Sequence, residues 1–152
     1  MKRKIFTAVA LALYAMILIV DEIEAQDRLA ASHQAEIQRI IARVRFALET
    51  QANCRNLFSN YQGDPRQTLD RATFTYVGDA LEPLGFAAAT LIGTNQILIG
   101  AGFYQDMTDV GGMATVLIHE LMHQQGAGAE IDNYVDNYEQ IATACGTRNS
   151  AR

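Results

Sequence analysis

The segment from Met113 to Gln125, MATVLIHELMHQQ, stands between Gly111-Gly112 and the Gly126-Ala127-Gly128 turn. Helix formers enclosed by glycine punctuation predict a helix, with the chain breaking at Gly111-Gly112 before it. Wound into a helix, the segment carries apolar side chains on every side, so it belongs in the interior rather than on a surface. The other elements must then wrap around it. It also takes His119, Glu120 and His123 inside, where polar groups have to find partners.

The rest of the chain supplies the wrapping. From Asp27 to Glu49 there is no Gly or Pro, and Leu29, Ile37, Ile40, Ile41, Val44 and Leu48 recur at three- and four-residue intervals. That periodicity predicts one long amphipathic helix, with His33 on a solvated part of it. NYQGDPRQTLDR, from Asn60 to Arg71, carries Gly63 and Asp64-Pro65 as turn markers and reads as a connector. TFTYVG at 73–78 is rich in β-formers and predicts a short strand. In GFAAATLIGTNQILIGAG two apolar runs flank Gly93-Thr94-Asn95, which predicts a hairpin with strands near 86–92 and 96–99. A last helix is expected from Glu130 to Cys145, with Gly146 as its stop. The pattern is α+β: a long N-terminal helix, a small sheet or hairpin, a buried helix and a C-terminal helix.

Lys2, Arg3 and Lys4 precede an uncharged, almost wholly apolar run from Ile5 to Val20, followed by Ile23-Glu24-Ala25. This is the layout of a secretory signal peptide over residues 1–25, leaving a single domain over 26–152. The run is shorter than the roughly 20 residues that span a bilayer comfortably, which makes a retained N-terminal anchor the alternative. The expectation is a secreted or periplasmic protein without stable membrane association once the signal is removed, acting as a monomer. Removing the signal takes away as many basic as acidic residues, so the domain keeps the net charge of −5. An acidic domain without a Lys/Arg cluster has no footprint for phosphate backbones, which excludes nucleic acid as an expected partner. At 49% hydrophobic and 19% charged residues the chain can build a core and does not have the composition of a disordered segment. Cys54 and Cys145 are the two cysteines, and in an oxidising compartment they read as one disulfide.

His119 and His123 are four residues apart, so on a helix both rings leave the same face and can reach one ion. Glu120, rotated by about 100° round the axis, stands beside that ion and can take a proton from a water there. The arrangement is His-Glu-x-x-His, the helix motif of zinc metalloproteases. A catalytic zinc takes a third protein ligand. The extended motif with a third histidine is followed as far as Gly126 and fails at Ala129; the candidates are the carboxylates after the turn, Glu130, Asp132, Asp136 and Glu139. Asp132, Asp136 and Glu139 would share one face of the expected last helix, one ligating and the next orienting an imidazole.

From 119 to 136 the chain resembles the zincin-fold metallopeptidases, and among them the aspzincins. In shorter-spaced aspzincins an aspartate about nine residues after the second motif histidine is the third ligand, and Asp132 occupies that position. Ala129 and Glu130 stand where the aspzincin pattern has Gly-Thr, and Tyr134 falls one residue before the pattern's tyrosine. DNYVDNYEQIATACG also resembles the end of small secreted bacterial proteins, mostly peptidases by inference, that carry this helix motif and a paired cysteine. The resemblance implies a zincin-like fold, a Zn2+ cofactor on His119, His123 and Asp132, Asp136 as a supporting or alternative ligand, and a peptide or protein substrate. It implies Glu120 as general base, and an edge strand at Gln96 to Ile99 that pairs with the substrate. Tyr104, Tyr134 and Tyr138 are candidates for stabilising an oxyanion. The alternatives are a secreted binding or toxin-associated domain whose metal is structural, and a metal-free α+β domain.

Overall fold

The computed structural model describes residues 31–105, 110–132 and 134–148. The signal-peptide reading of residues 1–25 therefore falls outside the described residues. The first described element is helix α1, Ala31–Thr50. Ile37, Ile40, Val44, Ala47 and Leu48 are all buried, a stripe at helical spacing that lies along the central helix. A short helix α2, Ala52–Asn56, follows and carries Cys54 into the core.

The segment expected to be a connector contains helix α3, Pro65–Arg71. Its start is encoded locally: the Asp64 carboxylate accepts the Arg66 N–H at 2.9 Å, and Pro65 sits in the first turn, where its missing N–H costs nothing. Strand β1, Thr73–Gly78, leads into a 3-10 turn, Asp79–Leu84, and then strand β2, Ala88–Thr90. Strand β3, Gln96–Gly100, returns antiparallel to β2 as the hairpin reading expects, and runs parallel to β1. The sheet order is β1-β3-β2, so the strand at 96–100 is the middle one. Its sequence explains this: Ile97, Leu98 and Ile99 are all apolar and all buried, with Ile97 and Ile99 in the main core and Leu98 packed with Val77, Leu81 and Ala89 on the other face. The expectation of an edge strand at Gln96 to Ile99 is thus corrected, and the strand beside the central helix is β2.

After the four-residue helix α4, Gly102–Gln105, comes the central helix α5, Val110–Gln124. Gly111 and Gly112 lie inside it rather than ahead of it. Glycine costs a helix about 1 kcal/mol, but burial of the apolar side chains from Met113 to Met122 outweighs that at roughly 1.5–3 kcal/mol each. These side chains are buried all round the axis, as the sequence requires. Near its start Thr115 Oγ1 donates to Gly111 O at 3.0 Å and meets Thr147 Oγ1 at 2.6 Å, holding the chain end against the helix.

A 3-10 turn, Ala129–Ile131, precedes the last helix α6, Tyr134–Ala144. Asp132 ends that turn at φ −79°, ψ 2°, so it is not on the helix and shares no helical face with Asp136 and Glu139. Cys54 and Cys145 form a disulfide with their Cα atoms 4.4 Å apart, joining α2 to the end of α6 across 91 residues of sequence. No helix among the described residues is long and apolar enough to cross a membrane.

Candidate metal site

Helix α5 presents His119 and His123 from one face, and the chain returns to meet them because of how the helix ends. The Ala127 N–H bonds to Met122 O and the Gly126 N–H to His123 O, both at 3.0 Å, with Gly126 at φ +97°. This is a Schellman turn, which needs a left-handed residue at Gly126. The turn brings Ala127 O to 3.0 Å from His123 Nδ1. With Nδ1–H donating to that carbonyl, the His123 Nε2 lone pair faces away from the backbone and toward the ligand cluster.

The same turn delivers Asp132. Its Oδ1 lies 3.0 Å from His123 Nε2 and 3.5 Å from His119 Nε2, and the two Nε2 atoms are 3.1 Å apart. Ligand atoms around a tetrahedral ion at 2.0–2.1 Å stand about 3.3–3.4 Å from one another, so the three atoms already have the separations of a shared coordination sphere. At this distance one Nε2–H can donate to the other Nε2; with both unprotonated the two lone pairs repel, and a cation between them removes the conflict. The donors are borderline and hard, two imidazoles and a carboxylate, a set that fits a divalent ion such as zinc. These three residues could hold a metal ion. Side-chain exposure is 8% at His119, 15% at His123 and 52% at Asp132, so the cluster is closed behind the histidines and open at the carboxylate.

Burial, with the His123 charge adding to it, lowers the His119 pKa to about 4. The ring is neutral near pH 7 and keeps a lone pair for a metal. His119 Nδ1 is buried without a hydrogen-bond partner among the described residues. Glu120 is buried on the side of α5 that meets β2, and burial raises its pKa above the ordinary carboxylate value, against the opposing influence of His123 and Thr90. Thr90 Oγ1 donates to Glu120 O at 2.9 Å, and Thr90 works against burial by lowering the Glu120 pKa. Sequence reading passed over Thr90, because it stands inside a plain apolar run, FAAATLI, and only the packing of β2 on α5 gives it a role.

Two other expected ligands go elsewhere. Glu130 is exposed and accepts the Gly128 N–H at 2.9 Å, and Glu139 is exposed and paired with Arg148. Asp136 lies on α6 with its side chain outside the described residues, as does that of Tyr134. Tyr138 packs against His119 with ring centroids 5.4 Å apart. Tyr104 stacks instead on His33 at 4.6 Å, with Tyr76 at 4.9 Å from the same imidazole. His33 is therefore half-buried among aromatics, not solvated as its polar neighbours suggested, because α1 lies against this cluster. Burial, with the Glu36 charge adding to it, pushes the Tyr104 phenol up to about 12. No family model, no curated protein and no solved structure matches this chain.

Proposed function

We propose that the chain is an exported zinc-dependent hydrolase of peptide bonds, with His119, His123 and Asp132 as the metal ligands and Glu120 as general base. The observation that carries this reading is the convergence of three donor atoms within 3.5 Å of one another on a helix that also buries Glu120. A bound zinc ion supplies Lewis acidity, lowering the pKa of a water and polarising a carbonyl.

Glu120 accepts the proton of the attacking water and returns it to the leaving amine. A carboxyl whose pKa is raised by burial suits both directions of that transfer. Thr90 fastens the main chain of Glu120 from the strand side, and His123 is fixed by Ala127 O from the turn side. Among the described residues no fourth His, Cys, Asp or Glu joins the group, which favours an open coordination position over a closed structural site.

Peptide rather than another acyl substrate is favoured by β2. The bonds Leu91 N–H to Gln96 O and Gly100 N–H to Ala87 O set the antiparallel alternation, so Ala88 and Thr90 turn their main-chain groups away from β3. An extended peptide laid along that edge would pair with Ala88 beside Glu120. The disulfide, buried at both cysteines, agrees with an oxidising compartment.

The test is Glu120→Gln in protein purified without affinity metal. Peptide hydrolysis is expected to be abolished while one equivalent of zinc stays bound; a variant with full peptidase activity overturns the mechanism.

A further inference from the structure

A concavity about 400 Å³ in volume opens between α2, the segment after it, α5 and α6. Its size falls within the roughly 300–1,000 Å³ of small-molecule sites. Asn56 and Asn60 line one wall, Gln140 the other, and none of their amides is hydrogen-bonded to another described residue. Asn137, also in the lining, is already committed, its Nδ2 donating to Ile131 O. Met122 and Ile131 make an apolar floor. Tyr61 adds an aromatic face and a phenol. Burial, with the Glu130 carboxylate adding to it, raises the Tyr61 pKa, which keeps that hydroxyl a donor.

The chemistry of this lining is selective. It contains no cation and one carboxylate, Glu130, whose Oε1 is occupied by the Gly128 N–H. An anionic ligand finds nothing to neutralise it. The walls are mainly helical or turn segments, with no strand among them, so no unpaired edge is offered to a peptide main chain. What remains are carboxamides and a phenol, groups that both donate and accept at separate points, as sugar hydroxyls do. An aromatic face beside an apolar floor accepts the C–H surface of a pyranose ring.

We propose that this cleft is a binding site for a neutral sugar unit, read by Asn56, Asn60, Gln140 and Tyr61. None of His119, His123 and Asp132 lines it, and it does not depend on the hydrolytic reading. If both hold, the protein works where peptide and neutral glycan occur together.

The experiment titrates maltotriose and the trimer of N-acetylglucosamine into the full domain, followed by calorimetry and by amide resonances of the cleft residues. Saturable binding of either trisaccharide in the millimolar range is expected, weakened about tenfold or more in Asn60→Ala/Gln140→Ala. Both positions are exposed, so that variant should fold, and an unchanged melting temperature verifies it. Tyr61→Phe, which keeps the ring and loses the hydroxyl, should fall between the two. Binding of neither sugar, or binding unaltered in the double variant, overturns the proposal. So does a blocked alanine tripeptide that shifts these resonances when the sugars do not.

Discussion

Thr90 Oγ1 donates to the main-chain carbonyl of Glu120 at 2.9 Å, so strand β2 is fastened to the buried helix at the residue beside His119, one of the three that could hold a metal ion. The contact joins two parts of the fold that have no sequence relation. Thr90 also favours the charged form of the Glu120 carboxyl against burial. Thr90→Val keeps the shape and removes the hydroxyl. Thr90 is one of the influences that lower the Glu120 pKa against burial, so losing its hydroxyl should raise that pKa further. The acid limb of kcat/KM should move to higher pH and the neutral rate should fall about tenfold, with zinc content unchanged. Thr90→Ser should restore the wild-type profile. An unmoved profile in Thr90→Val would remove Glu120 from the proton transfer.

Metal affinity separates the ligands from their neighbours. His119→Ala and His123→Ala should each lose stoichiometric zinc. Asp132→Asn, which keeps size and removes charge, should weaken binding about 100-fold or more, since even outer partners of ligands are worth 10–100-fold. Glu139→Ala should leave affinity unchanged, because that carboxylate pairs with Arg148. Competition with a chromophoric chelator gives all four numbers. Normal binding by Asp132→Asn would reassign the third position.

Much of this architecture is legible in the sequence. His119 and His123 follow from helical period alone, and the buried helix and the stripe of α1 follow from where the apolar residues fall. Asp132 was legible only by spacing, since its place depends on a 3-10 turn that no periodicity marks. The edge position of Gln96 to Ile99 was implied by the resemblance alone, whereas the unbroken Ile97-Leu98-Ile99 run, buried on both faces, is that of a middle strand. Helix α3 could have been found: Asp64-Pro65 is a cap and a first turn as much as a turn marker. Thr90 and Ala127 act through tertiary packing and a turn carbonyl, which leave no local sign.

The disulfide closes a loop of about 90 residues, for which chain entropy gives roughly 4 kcal/mol or more. Cys54→Ala/Cys145→Ala should lower urea stability by an amount of that order, with metal affinity far less changed. Since both sulfurs are buried, reductant should act on the native protein only as fast as it opens. Rapid reduction under native conditions would contradict that burial.

Acid should destabilise the metal-free protein through His119. Its folded pKa, about 4, lies below the unfolded value near 6.5. Below pH 6.5 the unfolded chain therefore binds a proton that the folded one refuses. Stability contributed by the neutral ring is complete above that pH and is lost progressively as pH falls toward 4. Urea melts of chelator-treated protein from pH 7 to 4 should show this decline, and His119→Asn should flatten it. Zinc should steepen the decline, because protons compete with the ion for both imidazoles.

Two glycines near the site should respond in opposite order to their crowding. A Cβ on Gly128 would meet Glu130 Oε2 at 2.5 Å, whereas one on Gly126 meets nothing within 4 Å. Yet Gly128 has φ −91°, open to any residue, and the Glu130 carboxylate is the exposed end of a flexible side chain that can swing aside. Gly126 sits at φ +97° in the Schellman turn, where an L side chain is strained by about 1–2 kcal/mol. Gly128→Ala should stay within about 0.5 kcal/mol of wild type. Gly126→Ala should cost about 1–2 kcal/mol and also weaken zinc binding roughly tenfold, because the turn it distorts carries Ala127 O to His123 Nδ1. Parallel urea melts and zinc titrations of the two variants test the order; a Gly126→Ala protein with unaltered zinc affinity would disconnect the turn carbonyl from the metal site.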